Sequence, residues 1–334
     1  MLDRVTVPIF RKVPLLMKLP VVLIVLLVVT GCGTVRNAVL SETVSHPVWM
    51  SDGWVYYLRE VSSEGAEVWR QRDDQEAGAR VLGTEDIAGV CDGATFSFLF
   101  RATDDDLGIA TECADGTTRM ELTMYSPERT DFSRIASTPF LGGVALDMDR
   151  AMGYVEQPTG CGTAVKPIRD GIVGEFAKPI TVAGKSWMLS GAELPACGSV
   201  AWARSPALAP AGSVFFLTAP DSIGNLPLTD PDVLDEFEWY LCSWDGQSAA
   251  PRVVTTLRGV ADLAVSPNGR FVIAAVSTAG AGGISMVDTA TGKTEEIVRG
   301  QQAYHPSVSP DGSRFVYAED LLQVRFGSLP DAIS

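Results

Sequence analysis

Only two histidines occur in the 334 residues, His46 and His305, and each stands directly before a proline. Histidine is the side chain best suited to moving protons near neutral pH. Both, however, occupy the same step of a repeated segment, and that equivalence reads as structural rather than catalytic. No Gly-x-Ser-x-Gly turn is present, so a serine hydrolase would lack its nucleophile elbow. Phosphate loops, histidine-containing metal motifs and C-x-x-C pairs are also missing, so neither a metal nor another cofactor is expected.

Carboxylates are the remaining chemistry. Asp104, Asp105 and Asp106 are consecutive, with Glu112 and Asp115 close by. A second group, Asp221, Asp230, Asp232, Asp235, Glu236 and Glu238, falls in residues 205–251, a stretch without lysine or arginine. Two facing carboxylates can cleave a glycosidic bond, one as acid and one as nucleophile or base. Clustered acids can also hold Ca²⁺, although no EF-hand spacing is present. The simplest reading is a solvated acidic surface. Within it, Asp104, Asp105, Asp106, Asp230, Asp232, Asp235 and Glu236 are the candidate residues for binding a partner.

The elements that must position these groups are strands. Residues 304–318 read as a short strand, a Ser-Pro-Asp-Gly turn at 309–312 and a second apolar strand, and residues 260–275 are a near copy with Ser-Pro-Asn-Gly. Proline presets the first turn position, and glycine takes the left-handed conformation that closes the hairpin. A third copy lies at residues 46–57. Further turns are read at residues 93, 150 and 212, giving spacings of 40 and 43 residues at the ends and 57 to 62 between them. Units of about 40–45 residues with this pattern are propeller blades. The fold expected is all-β, a six-bladed β-propeller over residues 37–330, with insertions in the middle blades. Its last blade has sequence for three strands, and residues 37–44 are expected to supply the fourth and close the ring.

Arg4, Arg11, Lys12 and Lys18 precede the apolar run 21–29, which ends in Thr30, Gly31 and Cys32. A basic region, a short apolar region and small residues make a secretory signal over residues 1–31. Val29-Thr-Gly-Cys32 resembles the bacterial lipobox, which implies lipidation of Cys32, a tether at 32–36 and anchorage on the outer side of the cytoplasmic membrane. Without residues 1–31 the chain holds 22 Lys and Arg against 40 Asp and Glu, net −18. Such a charge argues against nucleic acid as a partner. Five further cysteines, Cys91, Cys113, Cys161, Cys197 and Cys242, would lie in an oxidising compartment. Cys91–Cys113 is the pair expected, both being read into the second blade, with Cys113–Cys161 the competing pairing.

The Ser-Pro-Asp-Gly turns, the apolar second strands and the outer Asp…Thr-Gly-Lys turn at 288–293 together resemble the TolB-like, WD-type propeller repeats. The resemblance is strong in the last two hairpins and faint near residues 143–155. It implies a monomeric platform for protein contacts, here with a partner in the cell envelope; the alternative is a carbohydrate-active enzyme or glycan-binding propeller using the carboxylates of the inserted loops. Closure by residues 37–44 would bring Cys32 to the turn end of the blades. Both acidic groups are expected on the opposite, outward end.

Overall fold

Apolar residues at every second position, punctuated by left-handed glycines, make up-and-down antiparallel strands. The computed structural model describes residues 42–61, 65–114, 119–139, 143–147, 152–159, 162–169, 172–173, 180–182, 185–187, 203–209, 212–218, 238–245, 251–278 and 281–330. Blade one is β1 (Glu42–Trp49), β2 (Val55–Val61), β3 (Gly65–Gln71) and β4 (Ala79–Leu82). Blade two is β5 (Thr95–Arg101), β6 (Leu107–Cys113), β7 (Arg119–Ser126) and β8 (Asp131–Pro139). Blade three is β9 (Gly143–Asp147), β10 (Met152–Thr159), β11 (Gly162–Arg169) and β12 (Ile172–Val173). A hairpin of β13 (Ile180–Val182) and β14 (Lys185–Trp187) is inserted before blade four, which is β15 (Ala203–Leu208), β16 (Val214–Thr218), β17 (Glu238–Trp244) and β18 (Arg252–Arg258). Blade five is β19 (Val260–Val265), β20 (Phe271–Thr278), β21 (Ala281–Asp288) and β22 (Thr294–Arg299). The C-terminal sheet is β23 (Ala303–Val308), β24 (Arg314–Glu319) and β25 (Gln323–Ser328).

Strands follow chain order within every blade. The fold is therefore an all-β propeller with five four-stranded blades, not six. The hairpin expected to begin a sixth blade forms a three-stranded sheet, in which β25 pairs only with β24 among the described residues. Of the segment expected to supply the missing strand, residues 37–41 lie outside the described residues. Glu42, Thr43 and Val44 belong to β1 instead. The signal segment, Cys32 and the tether also lie outside the described residues.

The core sits between neighbouring sheets. Val48, Tyr56 and Leu58 of blade one pack on Phe96, Leu99, Leu107 and Ile109 of blade two. Phe98, Phe100 and Leu122 meet Val144 and Leu146 of blade three. Phe215, Leu217 and Trp239 of blade four pack against Val260, Leu263 and Val272 of blade five, whose Phe271 and Ile273 meet Phe315 and Tyr317. The series returns to its start, because Val316 packs on Trp49 and Val55. Strands sandwiched this way are apolar on both sides, and all five residues of β16 are buried. Each such side chain contributes about 1.5–3 kcal/mol.

The repeated turns work as their composition implies. The Ser309 hydroxyl donates to Asp311 at 2.6 Å and accepts the Arg314 N–H at 3.0 Å, while Asp311 accepts the Ser313 N–H. Ser266 and Asn268 repeat this in blade five, and Gly269 and Gly312 have φ of 70° and 73°. Blade two departs from the expectation. Cys91, Asp92 and Gly93 precede the first strand rather than following it; Gly93 has a φ of 63°, and its lack of a side chain admits Ala114, whose Cβ would lie 2.6 Å from an added Cβ. The turn equivalent to Ser-Pro-Asp-Gly is residues 103–106, where the Thr103 hydroxyl accepts the N–H groups of Asp105 and Asp106.

Candidate functional site

The first strand of each sheet is the one that meets its counterparts in other sheets. Its last residues can be aligned through the turn hydrogen bonds, since Met50, Ala102, Ala209, Ser266 and Ser309 each donate an N–H back across their own turn. Four residues before these stand His46, Phe98, Ser205, Asp262 and His305. Three of them, His46, Ser205 and His305, precede proline and have φ of 49°, 50° and 50°. Side chains other than glycine seldom take this conformation, and histidine is among those that do so more readily. A register shift accompanies it, between Arg204 and Ala207 in β15 and between Tyr304 and Ser307 in β23. Bulges of this kind redirect side chains. Here they bring the five positions together at the axis.

The result is a contiguous arc. The imidazoles of His46 and His305 stack with ring centroids 3.7 Å apart and planes inclined by 24°. Phe98 lies 5.9 Å from the His46 ring on one side. On the other side His305 Nδ1 is 3.0 Å from Asp262 Oδ2, an ion-pair geometry when the ring is charged. Beyond it the Ser205 hydroxyl donates to the Ala261 carbonyl at 3.4 Å. Asp262 is itself fixed by the Leu263 N–H at 2.9 Å. His46 Nδ1 lies 3.1 Å from the Ser45 hydroxyl, so both rings are held through Nδ1 and no hydrogen-bond partner meets either Nε2 among the described residues. Burial, and next the His305 ring, hold the His46 pKa well below the usual histidine value.

Arg101 closes the axis toward the turns. Its Nη2 donates to the carbonyls of Trp49 at 2.5 Å and Val308 at 2.9 Å, joining blade two to blade one and to the C-terminal sheet. Burial lowers its pKa, with Asp104 acting in the other direction.

The acids singled out in the sequence behave differently. Asp104, Asp105 and Asp106 form the β5–β6 turn, at the same end as the Ser-Pro-Asp-Gly turns, which corrects the expectation that they point to the opposite end. They are engaged locally and with blade one: Ser51 donates its N–H to the Asp104 carbonyl at 3.2 Å and its hydroxyl to Asp105 Oδ1 at 2.6 Å. Asp106 accepts from the Thr103 hydroxyl at 3.2 Å. Asp230, Asp232, Asp235 and Glu236 lie outside the described residues, between β16 and β17. The buried carboxylates Glu67, Glu121 and Glu319 each meet an arginine, Arg80, Arg134 and Arg325 at 2.6–2.8 Å. Among the described residues no group of three or more His, Cys, Asp or Glu is arranged to hold a metal ion.

Cys91 and Cys113 are joined in a disulfide, Cα atoms 5.7 Å apart, tying the link before β5 to the end of β6. Closing this loop, a sequence separation of 22, is worth about 3 kcal/mol. Cys242 is a buried free thiol whose pKa burial pushes up to about 12, so it is an inert core residue. Cys161 and Cys197 lie outside the described residues.

The sequence reading set both histidines aside and missed Asp262. The signal was available as a fixed offset from the turn. Equivalent positions on the first strands of a propeller converge on its axis, so equivalence there favours a site.

No family model matches this chain, and no curated protein sequence does. Solved structures with the same fold do match. TolB from Acinetobacter baumannii aligns with a TM-score of 0.53 and 13% identity over 87% of this chain and 61% of its own, so the chain spans about three fifths of that protein. An oligogalacturonate lyase solved with manganese aligns at 0.52 and 9% identity, over 88% and 91%. A gluconolactonase from Xanthomonas campestris aligns at 0.52 and 11% identity, over 87% of each chain. These likenesses show the propeller fold.

Proposed function

We propose that this protein is a lipid-anchored, extracytoplasmic binding propeller that engages a protein of the cell envelope. The observation that carries a binding role over catalysis is how the carboxylates are used. The buried ones are each met by arginine, and Asp104, Asp105 and Asp106 are engaged in a turn. The anchor reading rests on Val29-Thr-Gly-Cys32 after the apolar run. In this reading residues 37–41 pair with β25 and close the ring at the C-terminal sheet. Support comes from the Val44 N–H, which donates to the Leu321 carbonyl at 2.7 Å and so starts β1 beside the residue that leads into β25. Running from the turn end, that strand would leave Cys32 near the turns. The opposite end, nearest the histidine arc and the end of β16, would face outward.

Capture from detergent-solubilised membranes tests the binding role. A partner enriched by the wild type and lost with Asp232→Lys and Asp235→Lys supports it; no reproducible partner, or capture indifferent to those changes, counts against it. For the anchor, Cys32→Ala should leave the membrane fraction. A processed Cys32→Ala protein that stays there through a salt wash would refute lipidation.

One observation favours a second reading, activity on a carbohydrate. His305, oriented by Asp262 through Nδ1 with Nε2 unpartnered, is arranged as a general base would be. A screen on envelope glycans and uronic-acid oligosaccharides, with His305→Asn as control, separates the two.

A further inference from the structure

One seam of the propeller differs from the others, because it joins blade one to a sheet with three strands among the described residues. Across it the Trp49 N–H donates to the Ser307 hydroxyl at 3.1 Å, and the Trp49 ring meets Phe326 edge-on at 5.5 Å. Val55 and Val316 are buried together, and Arg314 pairs with Asp73. Among these contacts only the stacked histidines carry groups that ordinarily gain charge on mild acidification.

The surroundings of the two rings are unequal. His305 faces Asp262 of β19 at 3.0 Å, with the Tyr304 ring 6.4 Å away, so a proton on His305 has a carboxylate to meet. His46 faces Phe98 of β5, the Ser45 hydroxyl of its own strand and His305 of β23. None of these is an anion. Charge on His305 alone would face the Asp262 carboxylate, whereas charge on both rings would set two like charges face to face at 3.7 Å.

We propose that the stacked imidazoles of His46 and His305 form an acid-sensitive latch between β1 and β23, closed while the pair holds at most one proton and loosened when both rings are charged. The direction in which burial and His305 move the His46 pKa agrees with this. The folded protein takes up that proton less readily than the unfolded chain, so the contribution is full above the ordinary histidine value of 6.5 and declines as pH falls through it. The latch does not depend on the binding or anchoring roles proposed above.

Amide hydrogen exchange on the full-length protein in detergent, at about pH 7 and about pH 5, reads the latch directly. After correction for the intrinsic pH dependence of exchange, protection of β1 and β23–β25 should fall about tenfold while blade five holds. His46→Asn and His305→Asn keep a residue tolerant of positive φ but cannot be protonated, and should limit the change to about twofold. Each substituted protein is read against its own protection at neutral pH, so that any destabilisation by asparagine at neutral pH is separated from the response to acid. An equal loss of protection in the substituted proteins, or a loss spread evenly over all blades, would overturn the proposal.

Discussion

The two ends of the propeller axis are built from different kinds of contact. At the turn end, groups such as Asp311 and Asp288 are satisfied within a few residues of themselves, Asp311 by Ser309 and Ser313 and Asp288 by Ala290 and Thr291, while Ser51 reaches across to the neighbouring turn at Asp105. Toward the other end, His46 meets His305 and His305 meets Asp262, residues far apart in the chain. Arg101 lies between the two regimes, sitting beside a turn yet serving carbonyls of two other sheets. Local contacts make a blade, and distant ones hold the ring together. Damage at a turn should therefore stay within its blade, and damage at the axis should be felt by several.

Arg101→Met breaks the comparison most forcefully. It removes the donor shared by Trp49 and Val308, and the expected loss is about 2–3 kcal/mol, with exchange protection falling in blades one and two and the C-terminal sheet together. A loss confined to blade two would place Arg101 with the local contacts. Ser309→Ala should cost about 1 kcal/mol and loosen the β23–β24 hairpin alone, because it removes the acceptor of the Arg314 N–H. Chemical denaturation gives both magnitudes. Asp104→Asn, which changes an exposed side chain and keeps the backbone carbonyl that Ser51 uses, should stay within about 0.5 kcal/mol.

The same division explains what could be read in advance. The hairpins at residues 260–275 and 304–318 were legible because their turn chemistry is local. Blade two misled because the glycine of Cys91-Asp92-Gly93 lies before the first strand, where it packs closely on Ala114, while the true turn at 103–106 has no glycine and relies on the Thr103 hydroxyl. The Cys91–Cys113 pairing was nevertheless the one found, since both lie in or beside blade two in either assignment. The count of six four-stranded blades assumed a strand from residues 37–44, yet Glu42 to Val44 already serve β1. The histidine arc was legible only as a fixed offset of four residues before each turn, and the contacts within it were not, because no local pattern records which side chains a closed ring brings face to face.

Acid should separate the two ends as well. Hydrogen bonds from Ser309 and then Ser313 hold the Asp311 carboxyl below its ordinary value of 3.8. Its contribution is therefore complete above that value and declines only as pH falls below it. The histidine contribution declines earlier, below 6.5. A melting curve followed from neutral to strongly acidic pH should show two separate losses, the first absent in His46→Asn. A single loss below pH 4 would mean the axis does not respond.

Because the chain has only two histidines, their imidazole signals can be followed one by one in a selectively labelled sample. A nuclear magnetic resonance titration is thus the most direct test that the first strands bring His46 and His305 together. The structure predicts a cross-relaxation contact between the two rings, a His46 midpoint below 6.5, and a shift of that midpoint upward in His305→Asn. An ordinary His46 midpoint, unmoved by His305→Asn and with no contact between the rings, would contradict it.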